Sequence, residues 1–336
     1  MSRHEPFANL RRLGGLAMAA LAVVSVSGCA SMFSTAGGSS SRADRKVIAE
    51  AADAENADEA EAASIESAED ARRQAAEAFA AGDLDKALYL FVEAVSLDPQ
   101  DSHSFYAIGA IHENRGNQAL AMRAYSQAVE VDPTHALAQQ QLGAARLRAR
   151  DLDGAKTALE AAIAANPKLW RAHDLLGVVA DMQERHDDAI GHYSQAIALQ
   201  PSEPSVANNR GYSWYLSGNY EAAEADFLLA LRLDQGYDRA WKNLGLVRAR
   251  QQRYDEALTM MERVVAPHIA ANDVGYIAML NGDYAKARQL LTHAISLSPR
   301  FYPTAVDNLA KLDQAQSSSD LLMVTSEVKE FSELER

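Results

Sequence analysis

Apolar and small residues recur along this chain at helical spacing, inside a longer repeat of 34 residues. Four prolines mark the longer repeat, because Pro99, Pro133, Pro167 and Pro201 lie 34 residues apart. Within most units a large apolar residue is followed three residues later by alanine, which is the spacing of one face of an α-helix. A period of about 20 to 50 residues is typical of solenoids, whose units pack mainly against their neighbours. The pattern therefore predicts an array of helical hairpins.

We number each unit so that its proline takes position 32, and small residues then fall where the two helices of a hairpin cross. Position 20 is alanine in all seven units. Position 8 is glycine in six units, at Gly109, Gly143, Gly177, Gly211, Gly245 and Gly275. Position 24 carries Phe91, Tyr125, Leu159, Tyr193, Phe227, Met261 and Leu291, and position 27 is alanine except at Val264. Because helices approach closely only where side chains are short, we expect positions 8 and 20 at the crossing and position 24 beside it.

This combination resembles the tetratricopeptide repeat (TPR) family, whose pattern has a small residue at position 8, alanine at 20 and 27, an aromatic residue at 24 and proline at 32. The resemblance covers residues 68–301 in seven units. It implies an all-α, right-handed solenoid over residues 68–313, closed by a capping helix at 302–312. The sixth unit has 30 residues instead of 34, so we expect its second helix or the next turn to lose about one helical turn of 3.6 residues, with a kink near Pro267.

Four units carry glycine followed by Asn or Asp where the first helix should end. These pairs are Gly82-Asp83, Gly116-Asn117, Gly218-Asn219 and Gly282-Asp283. Glycine tolerates the left-handed conformation that commonly ends a helix, so we expect tight turns there. After the cap, a polar break begins at Gln314 and opens a C-terminal tail, residues 314–336.

The first 28 residues have the pattern of a secretory signal peptide: a basic start, an apolar run from Leu13 to Val26 and small residues at the end. That run is shorter than the ~20 residues that span a bilayer as a helix. Residues 26–29 resemble a bacterial lipobox, which implies cleavage before Cys29 and lipidation of its thiol; the alternative is a buried or incidental cysteine. Alanine and serine follow Cys29 instead of aspartate, which implies outer-membrane attachment facing the periplasm. We expect residues 29–67, rich in Ala and Glu, to form a flexible tether.

Charge and composition limit the classes of ligand, metal site and reaction that the chain can support. The formal net charge is −14 at pH 7, which disfavours nucleic-acid binding, since neutralising phosphates requires a basic surface. Cys29 is the only cysteine, so a thiolate metal cluster and an internal disulfide are excluded. His186 and His192 form no metal-binding motif, and no serine lies in a nucleophile elbow. We therefore expect a non-enzymatic protein with no metal, no cofactor beyond a covalent lipid, and no small-molecule substrate.

In the TPR family, positions 2, 5, 6, 9, 12 and 13 of the first helices line a groove. In units five to seven these positions are polar, aromatic and partly cationic. We call the following residues the groove set: Asn208, Asn209, Tyr212, Tyr215, Arg239, Lys242, Asn243, Arg250, Asn272, Asp273 and Tyr276.

The residue types of the groove set suit a bound peptide. Asn209, Asn243 and Asp273 share position 6, so we expect them to stack as a ladder. Amides can bond a peptide backbone, the tyrosines offer flat apolar surface, and the three cationic residues can pair with a partner's carboxylate. The alternative is that the asparagines and tyrosines serve only the scaffold.

A second resemblance rests on segments near the two ends of the chain. The lipobox, the Ala/Glu-rich tether and residues 272–302 resemble the TPR lipoprotein of the tight adherence (Tad, Flp) pilus system. This implies a pilotin-like role in the assembly of an outer-membrane secretin or another pilus component. The alternatives are a scaffold for exopolysaccharide export, type IV pilus assembly or recruitment of cell-wall enzymes. A chaperone-type carboxylate clamp is incomplete, because Asp174 and Val178 stand where Lys and Asn would be needed.

Overall fold

The computed structural model describes residues 65–317, and all regular secondary structure in that range is helical. The predicted signal peptide, Cys29 and the tether up to residue 64 lie outside the described residues, as does the tail from residue 318. Ile65 packs against the core of the first unit. The Ser67 hydroxyl accepts a hydrogen bond from the Asp70 amide at 3.1 Å and so caps the first helix.

Seven helical hairpins follow one another along the chain. Their first helices are α1 (Ala68–Ala80), α3 (Ser102–Asn114), α5 (Ala136–Arg148), α7 (Trp170–Met182), α9 (Pro204–Leu216), α11 (Asp238–Arg250) and α13 (Pro267–Leu280). Their second helices are α2 (Leu84–Leu97), α4 (Gln118–Val131), α6 (Leu152–Ala165), α8 (His186–Leu199), α10 (Tyr220–Leu233), α12 (Tyr254–Met261) and α14 (Tyr284–Leu297). Each helix packs against its hairpin partner, and each second helix packs against the next unit. The predicted all-α solenoid is confirmed.

The two helices of a hairpin cross at position 8, as the spacing of small residues predicted. A Cβ placed on Gly109 would lie 2.6 Å from the ring of Tyr125, and one on Gly211 would lie 2.8 Å from the ring of Phe227. Both rings are fully buried. In these two units, glycine at position 8 leaves the space that the ring at position 24 occupies, whereas unit one accommodates Ala75 at position 8 with Phe91 at position 24.

The turn inside each hairpin uses one left-handed residue at position 15. Four of these residues are the predicted glycines, with φ between 76° and 86°. In the other three units the same position is held by Arg150, Glu184 and Gln252, with φ of 64°, 59° and 62°. A side chain in this conformation costs about 1–2 kcal/mol, so three of the seven turns are strained. These three turns were not predicted from the sequence because they lack glycine.

The sixth unit departs from the others at its second helix. α12 has 8 residues, whereas every other second helix has 14, a larger loss than the single turn expected. Val264, predicted on the helical face, lies half-buried in the turn that follows. Pro267 is the first residue of α13, where its missing N–H has no helical partner to lose. The predicted kink there was wrong, because the proline begins a helix instead of interrupting one.

A last helix, α15 (residues 303–317), covers the end of the array. Leu312 is fully buried in the same cluster as Leu291, and Ala305 is also fully buried. These contacts confirm the predicted capping segment. The helix continues to residue 317, so the polar break predicted at Gln314 does not interrupt it within the described residues.

Candidate binding surface

The first helices of units three to seven form a continuous surface. α5 contacts α7, α7 contacts α9, α9 contacts α11, and α11 contacts α13. The whole groove set lies on α9, α11 and α13. Three of its members, Asn208, Tyr215 and Asn272, are buried at 4–5% exposure. Arg239 is exposed, and the remaining seven are half-buried.

Neighbouring first helices are joined by a ladder of polar contacts. The Nδ2 of Asn209 donates to Oδ1 of Asp174 at 3.1 Å, across 35 residues. The Nδ2 of Asn243 donates to Oδ1 of Asn208 at 2.9 Å, also across 35 residues. The interval exceeds the repeat by one, so each position 6 meets position 5 of the preceding unit. The amide nitrogens of Asn209 and Asn243 are therefore bonded to position 5 of the preceding unit, and the expectation that Asn209, Asn243 and Asp273 stack along the groove stays a prediction.

The ladder continues through the last unit into the cap. The Nζ of Lys242 lies 3.2 Å from Oδ2 of Asp273. The Nδ2 of Asn272 donates to Oδ1 of Asp273 at 3.2 Å. The Nδ2 of Asn308, on α15, donates to Oδ1 of Asn272 at 3.0 Å. Lys242 and Asn272 are therefore engaged within the scaffold, which reduces what they can offer a partner.

Other groups of the groove set keep unused bonding capacity. Within residues 65–317, the amide oxygens of Asn209 and Asn243 and the hydroxyl of Tyr276 have no hydrogen-bond partner. Two acceptors one repeat apart and a hydroxyl in the following unit suit an extended backbone. The ladder also holds both amides in fixed orientations, since the Nδ2 atoms are bonded to the preceding unit.

The tyrosines of unit five form one aromatic group. The rings of Tyr212 and Tyr215 stack with centroids 6.0 Å apart and planes at 19°, and Tyr220 lies 5.7 Å from Tyr215. Burial raises the pKa of both Tyr212 and Tyr215 above the usual value, so both hydroxyls stay protonated at neutral pH. Tyr215 is too deeply buried to offer the flat surface predicted for it. Tyr212 and Tyr276 retain that role.

The ladder begins at an acidic residue with a perturbed ionisation. Asp174 is half-buried on α7. Burial raises the pKa of its carboxyl to about 6; the hydrogen bond from Asn209 and the Arg171 charge lower the pKa, and Glu203 raises it. Asp174 is still mostly ionised at neutral pH. Unit four thus contributes the acidic Asp174 to this surface, and unit six contributes the cationic Arg250.

A buried tyrosine–carboxylate pair, which the sequence analysis missed, occurs in two units. The hydroxyl of Tyr125 donates to Oε2 of Glu113 at 2.8 Å, and that of Tyr193 donates to Oδ2 of Asp181 at 3.1 Å. These are the two units with tyrosine at position 24, and they are also the two with an acid at position 12. This correlation is visible in the sequence and could have predicted the pair.

The histidines show no arrangement for metal binding in the described part of the chain. The rings of His103 and His135 lie 4.5 Å apart, but residues 65–317 contain no group of three His, Cys, Asp or Glu side chains that could hold a metal ion. Burial lowers the pKa of His135 to about 4, so this ring is neutral at neutral pH. In the same range, no helix combines the length and hydropathy required to cross a bilayer.

A family model described as tetratricopeptide repeat matches the chain in overlapping segments. They are residues 72–136, 141–204, 183–238, 215–273 and 244–304. Together the segments cover more than half of the chain and nearly all seven hairpins.

Three known proteins illustrate the similarity. The HSC co-chaperone sgt12 of Aspergillus fumigatus is 33% identical over 87 residues, which is 26% of this chain and 26% of that protein. The structure of pilF from Pseudomonas aeruginosa covers 67% of this chain and 97% of its own, with 16% identity and a TM-score of 0.50. A repeat protein from Parabacteroides merdae covers 73% of this chain and 98% of its own, with 14% identity and a TM-score of 0.53. The two solved structures, at 16% and 14% identity, show the shared fold alone.

Proposed function

We propose, from the premise that this chain belongs to the tetratricopeptide repeat family, that it is a lipid-anchored scaffold whose groove set binds an extended segment of a protein partner. TPR proteins provide surfaces for contacts between proteins, and their repeats are generally not catalytic. The expectation that this chain catalyses no reaction stays a prediction.

The observation that carries the proposal is the pair of fixed, unused amide oxygens on Asn209 and Asn243, beside half-buried tyrosines. In units one to four, position 6 holds Arg73, Ala107, Gln141 and Leu175. The amide pair is thus confined to the end of the array that also carries Tyr212 and Tyr276. A backbone N–H can donate to each amide, while the rings cover the apolar side chains between them.

The partner is an outer-membrane secretin of a Tad-type pilus, and the chain acts in its assembly as a pilotin-like factor. Support for this finer role is the resemblance of the lipobox, tether and last repeats to the TPR lipoprotein of that system. Attachment through lipid at Cys29 would keep the scaffold at the outer membrane, facing the periplasm. pilF shares the fold at 16% identity, so it does not add to the pilus role.

Co-purification of the full-length protein tests both partner and surface. We expect the secretin to co-purify with the wild type and to be reduced at least several-fold with Tyr212→Ala/Tyr276→Ala. The matched control is Tyr89→Ala, which removes a tyrosine that is 49% exposed on second helix α2. Circular dichroism checks that all three proteins are folded.

The outcomes separate the two parts of the proposal. Equal recovery with the groove variant would move the contact elsewhere on the solenoid. Recovery of polysaccharide-export or cell-wall proteins without a secretin would contradict the pilus role and favour those alternatives.

A further inference from the structure

Arg250 is a half-buried arginine of the groove set whose charge is not neutralised within the described structure. Its Nε donates to the hydroxyl of Tyr215 at 3.3 Å. Within residues 65–317, its two Nη groups have no hydrogen-bond partner, and no carboxylate lies within 4.0 Å of it. Several N–H donors of a planar guanidinium are therefore unused.

The same position in another unit shows what normally fills this site. Arg148 occupies position 13 of unit three, as Arg250 does in unit six. Its Nη2 lies 2.6 Å from Oε1 of Glu113, across 35 residues. Arg250 is also 35 residues from its partner, but that partner is the neutral Tyr215. The carboxylate present in units two and three is thus replaced by a tyrosine hydroxyl in units five and six.

An arginine without a counter-charge in a half-buried position is unfavourable, and a carboxylate supplied by a partner would remove that penalty. The guanidinium fork matches the two oxygens of a carboxylate. Tyr212 and Tyr215 lie in the unit before Arg250, and Tyr276 lies in the unit after it. A bound chain that contacts both Tyr212 and Tyr276 would therefore pass Arg250.

We propose that Arg250 binds the side-chain carboxylate of an Asp or Glu within the bound segment of the protein partner. The proposal rests on the proposed function of the groove set and specifies the chemistry of its partner. It selects Arg250 over Lys242, since Lys242 is already paired with Asp273.

A double-mutant cycle tests this pairing. The probe is an array of short synthetic peptides, all amidated at the C terminus, incubated with the full-length protein. The tightest acidic binder is resynthesised with Gln in place of each Glu and Asn in place of each Asp. We expect one such change to weaken binding about tenfold, and Arg250→Gln to weaken binding of the parent peptide about tenfold. Together the two changes should cost no more than either alone.

Two further variants test the comparison between Arg250 and Arg148. Tyr215→Glu supplies the carboxylate that Glu113 supplies to Arg148, so it should abolish the preference for the acidic peptide. Arg148→Gln should leave that preference unchanged. If Tyr215→Glu does not fold, Arg250→Gln still decides the result, because a half-buried polar side chain is replaced by a smaller polar one.

Three results would overturn the inference: independent, additive losses in the cycle; array binders without an enriched acidic position; or binding only by peptides with a free C-terminal carboxylate. The result is separable from the pilus role. Coupling between Arg250 and the peptide carboxylate without a co-purifying secretin would contradict only the pilus role. A co-purifying secretin without that coupling would contradict only the carboxylate site.

Discussion

Gly177→Ala is expected to destabilise the protein by about 1 kcal/mol net, although alanine is the better helix former. A Cβ on Gly177 would lie 2.5–2.7 Å from three ring atoms of Tyr193. That ring is 2% exposed, and its hydroxyl is bonded to Asp181, so it cannot move without losing the bond. Overpacking of this kind costs about 1–3 kcal/mol, which exceeds the gain of about 1 kcal/mol in helix propensity.

Gly191→Ala is the matched control, on α8 of the same unit. Gly191 is exposed, and an added Cβ would have no atom within 4 Å. Only helix propensity changes, so this variant should be stabilised by about 1 kcal/mol. Urea unfolding of both variants measures the two effects. Equal changes in the two variants would contradict the helix crossing at position 8.

Asp174→Asn is expected to stabilise the protein by about 3 kcal/mol at pH 7. Burial raises the pKa of Asp174 from 3.8 to about 6, and each unit of difference corresponds to about 1.4 kcal/mol. The amide oxygen of the new side chain can still accept from Asn209. The next unit already has this arrangement, where Asn208 accepts from Asn243 at 2.9 Å.

The stability difference between the wild type and Asp174→Asn should depend on pH, and its sign follows from the raised pKa of Asp174. A carboxyl whose pKa is raised on folding contributes stability that is fully present below its unfolded pKa and is lost as pH rises through its folded pKa. The wild type should therefore lose stability relative to Asp174→Asn between about pH 4 and pH 6, and the two should converge below pH 4. Unfolding curves across this range measure the difference. A constant difference at every pH would show that ionisation of Asp174 is not its cause.

Most of the fold could be predicted from the sequence, because the fold depends on contacts within one unit. Positions 8 and 24 of the same hairpin touch, so a small residue at Gly109 and a large one at Tyr125 suffice to predict their crossing. The cap could be predicted because Leu312 continues the apolar pattern. The three strained turns could not be predicted from their own residues, since Arg150, Glu184 and Gln252 are not residue types that indicate a left-handed turn.

The bonding of the groove set depends on contacts between units, which the repeat period does not specify. Between neighbouring units, Asn209 at position 6 bonds Asp174 at position 5, and Arg250 at position 13 bonds Tyr215 at position 12. The sequence correctly predicted which helices carry the groove set. It could not predict that Lys242 is neutralised by Asp273 while Arg250 keeps unused donors, because both outcomes depend on which side chains of neighbouring units meet.

Photo-crosslinking in living cells tests most directly whether the groove set binds a protein. Tyr276 is replaced by p-benzoylphenylalanine in one strain and Gly191 in another, since Gly191 is exposed on a second helix with open space around it. We expect a discrete crosslinked product from position 276, containing the secretin, and none from position 191. A product from position 191 but none from position 276 would contradict the assignment of this surface as the binding site.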